Sequence, residues 1–451
     1  TGAAARLGAD VLLVNTELPA VALGKIILWH DVRLVVCDGE FAGRFADAGF
    51  DGPLVQAWPD DAASRRAPSV RIPYGRGPSA PVAWPATGWP ASREVPSVAL
   101  DDLAEGPRQG GWQPVRPGRL VILTSGTTGV PKGVPRQASG LDSAGLGVSV
   151  LARMGLRTTE TMVVAPPLFH GLGAAFLLIG LLLGDTLVLR RKFDATTVLA
   201  DVEQHRAAVL VAVPAMLQRL LQQPERPASL RVIFSGAAPL RPALADRVRS
   251  AFGPKLYNGY GSSEVGIATI ADPQDLAEAP GTVGKAVEGV RVRVVDAAGN
   301  DLPTGSVGRL LVGSGMTFQG YTGGGSKEVV GGLMDTGDLG HLDAAGRIFV
   351  DGRSDDMIVS GGENVYPQEV EDALARHPDV LEAAVVGVPD EEFGQRLAAF
   401  VVPRAGARPS DEELITHLRG LLARYLVPKD YRLLGELPRN ATGKVLRSQL
   451  T

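Results

Sequence analysis

Apolar runs and stretches of helical periodicity alternate through the first part of the chain. Short apolar runs between turn signals are typical of buried strands, whereas apolar residues recurring at the spacing of a helical turn are typical of amphipathic helices. The runs predict strands at 11–14, 33–36, 120–123, 162–165, 187–189, 209–213 and 232–234. The periodic stretches predict helices at 19–29, 138–154, 172–183, 195–205, 214–222 and 240–252. Such alternation indicates a layered α/β architecture.

Two parts of this region have a local organisation of their own. The strands at 11–14 and 33–36 flank the helix at 19–29, which predicts a parallel βαβ unit. Residues 52–119 are rich in Pro, Gly, Ser and Trp and show little periodicity. We therefore expect 52–119 to form a long excursion over the surface.

The pattern changes twice towards the C-terminus. After residue 280, short β runs alternate with Gly turns, which predicts a small β-rich subdomain. From Gly352 onward, helical patterns near 367–376 and 411–425 predict a compact α+β unit.

These patterns together predict two domains and an incomplete beginning. Residues 1–351 would form a large N-terminal domain of layered α/β subdomains with the β-rich subdomain, and residues 352–451 a small C-terminal α+β domain. Thr1 opens directly into a helical stretch, and the strand predicted at 11–14 would need neighbours from upstream. We therefore expect the natural chain to start earlier.

Composition and charge argue against several classes of protein. Lys and Arg number 45 against 49 Asp and Glu, and this balance argues against a dedicated nucleic-acid binder. The most apolar stretch, 174–183, has about half of the roughly 20 residues that a spanning helix needs, so we expect no transmembrane segment. Cys37 is the only cysteine, which excludes an intrachain disulfide and favours the reducing cytoplasm.

The sharpest local signal is a run of hydroxyls and glycines directly after the strand predicted at 120–123. It contains Thr124, Ser125, Gly126, Thr127, Thr128, Gly129 and Lys132. Glycines let backbone N–H groups approach an anion, hydroxyls add donors, and an ammonium adds charge. A phosphate-binding loop is therefore favoured over a plain turn between strand and helix. The run is not a Walker A loop, because Gly133 stands where Ser or Thr would follow the lysine.

Three further runs carry candidate chemistry. In the first, Tyr260 stands between glycines and could lie against a planar base, and Glu264 could hold a divalent cation. In the second, the carboxylate of Asp338 could accept both hydroxyls of a ribose while Arg353 braces them. The third places Lys444 in a Gly turn near the C-terminus. Taken singly, each of these residues also suits a structural role.

The scarcity of lysine adds weight to two positions. The 45 basic side chains include only eight lysines, so the composition favours Arg wherever any cation suffices. Lys132 and Lys444 both lie in Gly turns, where a compact point charge differs from a planar guanidinium.

The four runs occur in the order and spacing of the adenylate-forming (AMP-forming) acyl-CoA synthetase family, which the chain resembles over nearly its whole length. Within the family it is most similar to bacterial fatty-acyl-CoA ligases, on the runs at 361–371 and 386–390. The resemblance implies that the protein uses ATP, Mg²⁺ and CoA to join a carboxylic acid first to AMP and then to the CoA thiol. A fatty acid, and hence lipid metabolism, is the expected context. Family members carry further residues before the position that matches Thr1.

The resemblance also implies roles for the matching residues. Lys132 and the run from Thr124 to Gly129 would hold the phosphates that leave as pyrophosphate. Tyr260 would stack on adenine, Ser263 would touch the α-phosphate, and Glu264 would bind Mg²⁺. The remaining nucleotide contacts would come from Gly236, Ala237, Ala238, Asn258, Gly261, Asp338 and Arg353, of which the last two hold the ribose.

A mobile C-terminal domain is a further implication of the resemblance. Lys444 would reach the site during adenylation and withdraw before the thiol attacks. Asp355 would be the hinge between the two half-reactions, and Gly361 and Gly362 would then line the CoA channel.

His170 has two interpretations. A lone histidine before an apolar helix suits a core, whereas in the family an equivalent histidine lies near the substrate carboxylate. Amino-acid-activating relatives carry an Asp nearby, and none occurs at 169–171, so a simple carboxylic acid is favoured.

Two other functions stay open at this point. The protein could load the acyl group onto the phosphopantetheine of an acyl carrier protein, which would then be its partner. It could also be a non-catalytic relative that binds an acyl group or a nucleotide. A dehydrogenase is disfavoured, because no G-x-G-x-x-G run opens a helix after the strands predicted at 11–14 and 33–36.

Overall fold

A computed structural model describes most of the chain in segments that form two compact units. The described residues are 10–15, 18, 20–30, 32, 35–37, 39–50, 54–56, 97–99, 119–124, 132–136, 140–314, 320–322, 324–360, 363–391, 393–440 and 444–450. The first unit runs to Ala138 and adds the short segments 168–171 and 318–326. The second unit contains all other residues.

Two small sheets form the described part of the first unit. Its strands are β1 (Val11–Leu13), β2 (Val35–Cys37), β3 (Leu54–Gln56), β4 (Ser97–Ala99), β5 (Leu120–Thr124) and β6 (Lys132–Arg136). One sheet has the order β1-β5-β6 and the other β2-β3-β4. Helices α1 (Ala20–Trp29) and α2 (Gly39–Asp47) pack on the second sheet through a cluster that includes Leu23, Ile27 and Phe45.

The βαβ unit predicted at the start of the chain is wrong in its strand pairing. Helix α1 forms, but β1 pairs in parallel with β5, while β2 pairs in parallel with β3. Within the described residues the two strands therefore lie in different sheets. Local periodicity could not reveal this, because the partner of β1 comes from beyond the segment 52–119.

Three further elements of the first unit were not predicted. Strands β3 and β4 lie within the excursion predicted at 52–119, and three-residue strands are too short to show a period. Strand β6 lies before the helix predicted at 138–154 and has few apolar residues. It lies at the edge of its sheet, where Pro135 is tolerated.

One long sheet organises the second unit. Its strands are β7 (Thr161–Val164), β8 (Thr186–Leu189), β9 (Val209–Val211), β10 (Val232–Gly236), β11 (Leu256–Ser262), β12 (Gly266–Ala271), β13 (Thr282–Ala286), β14 (Val290–Val295), β15 (Gly308–Ser314), β16 (Val329–Val330), β17 (Leu333–Leu342) and β18 (Ile348–Arg353). Their order in the described residues is β14-β15-β17-β18-β13-β12-β11-β10-β9-β7-β8, with β16 paired to β17.

The long sheet changes character at β11. From β8 to β11 the neighbouring strands are parallel, and from β11 to β14 they are antiparallel. The register shifts in the antiparallel half at Tyr260/Gly261, Thr282/Gly284, Arg309/Leu311 and Leu339/Gly340. Such bulges bend a strand and increase its local twist.

Helices of the second unit connect the parallel strands and cover the sheet. They are α3 (Gly140–Met154), α4 (Gly171–Leu183), α5 (Ala195–Gln204), α6 (Pro214–Leu220), α7 (Pro242–Phe252) and α8 (Pro273–Glu278). Helix α5 begins at a cap in which the Asp194 side chain accepts from the backbone N–H of Thr197 at 2.8 Å. Proline at the first position starts α6 and α7, where its missing N–H is not needed. The predicted alternation of strands and helices is confirmed here.

The C-terminal part is a small α+β layer within the second unit. Its elements are β19 (Ile358–Ser360), β20 (Glu363–Val365), α9 (Pro367–Leu374), β21 (Val380–Asp390), β22 (Gly394–Pro403), α10 (Asp411–Arg419) and β23 (Asp430–Leu433). Strands β21, β22 and β23 form one sheet, and α9 and α10 pack on it through Val370, Leu374, Leu414 and Leu418. The helix predicted at 411–425 is shorter than expected, since it ends before Gly420.

The predicted fold class is confirmed by these layers, whereas the domain boundary at 351/352 stays a prediction. Within the described part of the chain, none of the helices combines the length and the apolar character that crossing a bilayer requires.

Candidate active site

The parallel strands β10 and β11 lie side by side and bring two of the sequence runs together. Gly236 at the end of β10 is in register with Gly259 on β11. Ala237 follows with a φ of 67°, and Ala238 is half-buried beside it. Because ligands of α/β proteins bind outside the carboxyl ends of parallel strands, this edge is the expected place for a nucleotide.

Strand β11 carries two of the candidate residues, Asn258 and Tyr260. Asn258 is buried, and its Nδ2 donates to the backbone O of Thr282 at 3.3 Å. Tyr260 follows two positions later on the same strand, next to Gly261. Asn258 thus fixes β11 against β13, and Tyr260 remains the candidate contact for a ligand.

Tyr260, Asp338 and Arg353 form a connected polar group. The Tyr260 hydroxyl donates to Oδ2 of Asp338 at 2.6 Å, and Nη1 of Arg353 donates to its Oδ1 at 3.1 Å. Asp338 and Arg353 face each other in the register of β17 and β18. Two runs that the sequence analysis treated separately are therefore joined at one carboxylate.

Burial dominates the electrostatics of this group. It raises the pKa of Asp338, and the opposing effects come from the Tyr260 hydroxyl and the charge of Arg353, followed by the charge of Lys327. Burial and the Asp338 charge raise the pKa of Tyr260 well above its usual range. The phenol therefore stays protonated at neutral pH and donates its hydrogen bond to Asp338.

Three neighbours of Asp338 were missed by the sequence analysis. The Oγ1 of Thr336 accepts from the Asp338 N–H at 3.1 Å, and the Ser354 hydroxyl donates to the Gly337 carbonyl at 3.0 Å. Lys327 donates to the Thr336 carbonyl at 3.4 Å. The sequence signal for Lys327 is the run 329–334, where Gly-Gly between apolar pairs predicts a hairpin.

Glu264 is the candidate ligand for a magnesium ion. It is half-buried after β11, where the Ser262 Oγ accepts from the backbone N–H groups of Glu264 at 3.2 Å and Val265 at 3.3 Å. Across the described segments, no group of three or more His, Cys, Asp or Glu could hold a metal. A single carboxylate fits Mg²⁺ that arrives with a nucleotide, because that ion takes most of its ligands from phosphate and water. Ser263 lies beside it, also half-buried.

The hydroxyl-rich run is described only at its ends. Thr124 closes β5 and Lys132 opens β6, and the two are paired in register across the hairpin. The intervening candidates lie outside the described residues, namely Ser125, Gly126, Thr127, Thr128 and Gly129. The channel candidates Gly361 and Gly362 also lie outside them.

His170 precedes helix α4 and is half-buried. Burial lowers the pKa of its imidazole, so the ring is neutral near pH 7. A neutral ring can accept a hydrogen bond from a protonated acid or donate one to a carboxylate.

Lys444 and Asp355 are both exposed. Lys444 has its backbone N–H donating to Asn440 Oδ1 at 2.9 Å. Among the described residues, no hydrogen bond or ion pair joins its side chain to Asp338 or Glu264. Asp355 Oδ2 lies 3.8 Å from Nη2 of Arg353 in a short turn after β18.

Two family profiles match the chain. The AMP-binding enzyme family matches residues 1–322, and the AMP-binding enzyme C-terminal domain matches residues 369–444. The chain is 34% identical over 449 residues to a sulfoacetate–CoA ligase of Cupriavidus necator, with 97% of this chain and 81% of the relative covered. It is 31% identical over 461 residues to the fatty acid–[acyl-carrier-protein] ligase ScoC of Streptomyces coeruleorubidus, with 99% and 82% covered.

Solved structures show the same architecture. ATP-bound MatB from Rhodopseudomonas palustris superposes with a TM-score of 0.80 at 27% identity, covering 99% of this chain and 84% of MatB. The O-succinylbenzoate CoA synthetase MenE of Bacillus subtilis, in complex with ATP and a magnesium ion, gives 0.76 at 26% identity, covering 98% and 84%.

Proposed function

The chain belongs to the AMP-binding enzyme family, and from that premise we propose that it activates an apolar carboxylic acid, a fatty acid, as the acyl adenylate and transfers it to CoA. It is an AMP-forming acid–thiol ligase that uses ATP, Mg²⁺ and CoA. The observation that carries the proposed site is the contact of Tyr260 and Arg353 with one buried carboxylate, that of Asp338.

The nucleoside is the part of ATP that this group would hold. Asp338 offers its two carboxylate oxygens to the two ribose hydroxyls, and Arg353 braces the carboxylate from β18. The Tyr260 ring on β11 would supply a flat surface for adenine. Gly236, Ala237 and Ala238 form the neighbouring rim at the end of β10.

The phosphates require positive charge and donors. Glu264 and Ser263 would face the α-phosphate, with Glu264 holding the Mg²⁺ ion. When bound there, the ion neutralises charge on the phosphate oxygens as the acid carboxylate attacks. Lys132 and the run from Thr124 to Gly129 would hold the departing pyrophosphate, and Lys444 would stabilise the charge that develops at the α-phosphorus.

The acid is proposed to be apolar because of the residues around α4. Between Leu168 and Leu183 the only ionisable side chain is His170, whose lowered pKa keeps it uncharged. Nothing in that stretch would pair with a sulfonate, an ammonium or a second carboxylate. The ScoC relative acts on a fatty acid, whereas the Cupriavidus relative acts on sulfoacetate, so the two represent the alternatives.

The second half-reaction would use a different arrangement of the C-terminal domain. The proposed domains are 1–351 and 352–451, with Asp355 as the hinge and Gly361 and Gly362 along the path of the thiol. The exposure of Lys444 is consistent with a position withdrawn from Asp338. Free CoA is the proposed acceptor, with an acyl carrier protein as the second candidate because ScoC is a carrier-protein ligase.

The test is exchange of labelled pyrophosphate into ATP with a panel of acids, from acetate to long-chain fatty acids, aryl acids and sulfoacetate. We expect the rate of exchange to increase with the length of the apolar chain of the acid. The nucleotide product should be AMP rather than ADP. Free CoA and a carrier protein loaded with phosphopantetheine are then compared as acceptors.

Each of the other outcomes would contradict a different part of the proposed function. Best exchange with sulfoacetate would contradict the apolar substrate, and faster transfer to the carrier would contradict free CoA as acceptor. ATP binding by calorimetry without exchange for any acid would favour a non-catalytic relative.

A further inference from the structure

A two-residue hairpin places Lys327 beside the nucleotide site. Strands β16 and β17 are joined by Gly331 and Gly332, whose φ values of 57° and 79° are those of a tight hairpin turn. Val329 is paired with Met334 and Val330 with Leu333. Extending this register by two residues in each direction sets Lys327 opposite Thr336, two positions before Asp338.

The contacts agree with this register. Lys327 is half-buried, and its Nζ lies 3.4 Å from the carbonyl O of Thr336. A Cβ built on Gly337 would lie 3.4 Å from Nζ of Lys327 and 3.3 Å from Nη2 of Arg353. The two cations therefore approach the same side of Gly337, next to the Asp338 carboxylate.

The segment that carries Lys327 is fixed in place. Nη2 of Arg309 lies 2.6 Å from Oε2 of Glu328 and 2.6 Å from Oδ2 of Asp335, so it bridges the two strands of the hairpin. The backbone N–H of Asp335 also donates to the Glu328 carbonyl at 2.9 Å. These contacts hold the backbone next to Lys327 against β17.

The charge balance at Asp338 explains what a second cation would do. Asp338 is 8% exposed, whereas the side chain of its partner Arg353 is 38% exposed and also lies near Asp355. A buried carboxylate is costly to ionise unless nearby charges compensate it. Arg353 is partly exposed to solvent, which weakens its effect on the Asp338 charge. The Lys327 ammonium, in the segment before β16, supplies a second positive charge near this carboxylate.

We propose that Lys327 is a positioning residue of the nucleotide site, which keeps Asp338 ionised and oriented as the acceptor of both ribose hydroxyls. The inference rests on the role proposed above for Asp338. Under this proposal Lys327 affects binding of the ribose and has no effect on binding of the phosphates.

Calorimetric titration with ATP and with 2′,3′-dideoxy-ATP tests this division. Lys327→Met should weaken ATP binding about tenfold, the effect of losing one interaction with a buried charge, and leave dideoxy-ATP binding as it is in the unaltered protein. Lys327→Arg should restore most of the ATP affinity. Lys285→Met, at an exposed lysine on β13, is the matched control and should change neither ligand.

Two results would overturn the proposal. Equal weakening of ATP and dideoxy-ATP by Lys327→Met would mean that Lys327 contacts phosphate or only supports the fold. Unchanged ATP binding would mean that Arg353 compensates Asp338 without help. Binding is measured without acid or turnover, so failure of the unaltered chain to bind ATP would count against the proposed function instead.

The pH dependence of ATP binding gives a second readout. The groups that face Asp338 are Tyr260, Arg353 and Lys327, with Asp355 beyond Arg353. Removing the Lys327 charge should raise the pKa of Asp338 further, so the variant should lose ATP affinity at a higher pH than the unaltered protein as the pH falls. Coincident profiles would contradict the proposal.

Discussion

The Tyr260 hydroxyl donates a 2.6 Å hydrogen bond to Oδ2 of Asp338, across 78 residues of sequence. The bond links an aromatic ring on β11 with a carboxylate on β17, which are the proposed contacts of adenine and ribose. The bond also occupies one lone pair of the carboxylate. Tyr260 therefore fixes the orientation of Asp338 and of the lone pairs that are left to accept from a ligand.

Replacing Tyr260 by Phe tests this bond separately from the ring. The variant keeps the flat surface but leaves Asp338 without its shortest donor, and a hydrogen bond to a charged group contributes roughly 1.5–3 kcal/mol. We expect ATP binding to weaken about tenfold or more, measured by calorimetry. Tyr257→Phe on the same strand is the control and should bind ATP normally. Equal behaviour of the two variants would show that the Tyr260 hydroxyl has no part in binding.

Lys444→Ala tests the proposed role of the C-terminal lysine. Loss of one preorganised positive charge at the developing phosphorane should reduce pyrophosphate exchange by about 100-fold or more. Thiolysis of a supplied acyl adenylate should be largely spared, because that step does not need the charge at phosphorus. Lys192→Ala, at an exposed position, serves as the control. Full exchange in the Lys444 variant would remove this lysine from the mechanism.

Asp372 on α9 gives a prediction for stability and pH. It lies 3.5 Å from Nη1 of Arg241, and burial raises its pKa to about 6 from an ordinary value of 3.8. The folded protein therefore binds more protons than the unfolded chain between these two values, so stability falls as the pH rises through that window. Asp372→Asn lacks this titration.

The measurement is urea unfolding of both proteins at several pH values. Between pH 5 and pH 7 the stability of the Asn variant relative to the unaltered protein should increase by roughly 1 kcal/mol. Asp246→Asn, at an exposed carboxylate on α7, is measured in parallel as the control. A pH-independent difference for Asp372→Asn would mean that Arg241 holds the carboxylate ionised across the range.

Gly261→Ala tests the close approach of β11 to β12. A Cβ at Gly261 would lie 1.8 Å from the carbonyl O of Gly266, and the backbone at both positions would have to move. The shift falls at the bulge next to Tyr260, so we expect loss of both stability and ATP affinity. Gly147→Ala is the opposite case, because its Cβ would meet nothing within 4 Å on α3. That control should be stabilised by about 0.5–1 kcal/mol, and a similar gain at Gly261 would contradict the structure.

The sequence predicted the chemistry of the site better than its geometry. Tyr260, Asp338 and Arg353 stand out as residue types in Gly-rich runs, and the structure joins them. The pairing of Asp338 with Arg353 was predicted, but the hydrogen bond from Tyr260 to Asp338 was not, because it depends on bulges that no periodicity reveals. Lys327 was missed because it lies in an irregular Gly-rich stretch, where a charged residue resembles solvated surface.

The pairing of strands that lie far apart in the sequence was the other feature that could not be predicted. The partner of β1 lies beyond the segment 52–119, and β6 has too few apolar residues to be recognised as a strand. In contrast, the strands and helices between 161 and 252 have strong local patterns and were predicted well. Local pattern therefore identified elements where burial is high, and failed where a strand is short or lies at an edge.

The order of strands in the long sheet has a consequence for its curvature. Between β11 and β17 lie β12, β13 and β18, so a flat sheet would separate Tyr260 from Asp338 by four strand spacings of about 4.8 Å each, roughly 19 Å. A tyrosine and an aspartate cannot bridge that gap, so the antiparallel half must curve until β17 comes within side-chain reach of β11. The proposed ribose site therefore depends on the curvature of the sheet, and a change that flattened β12, β13 or β18 would separate Tyr260 from Asp338.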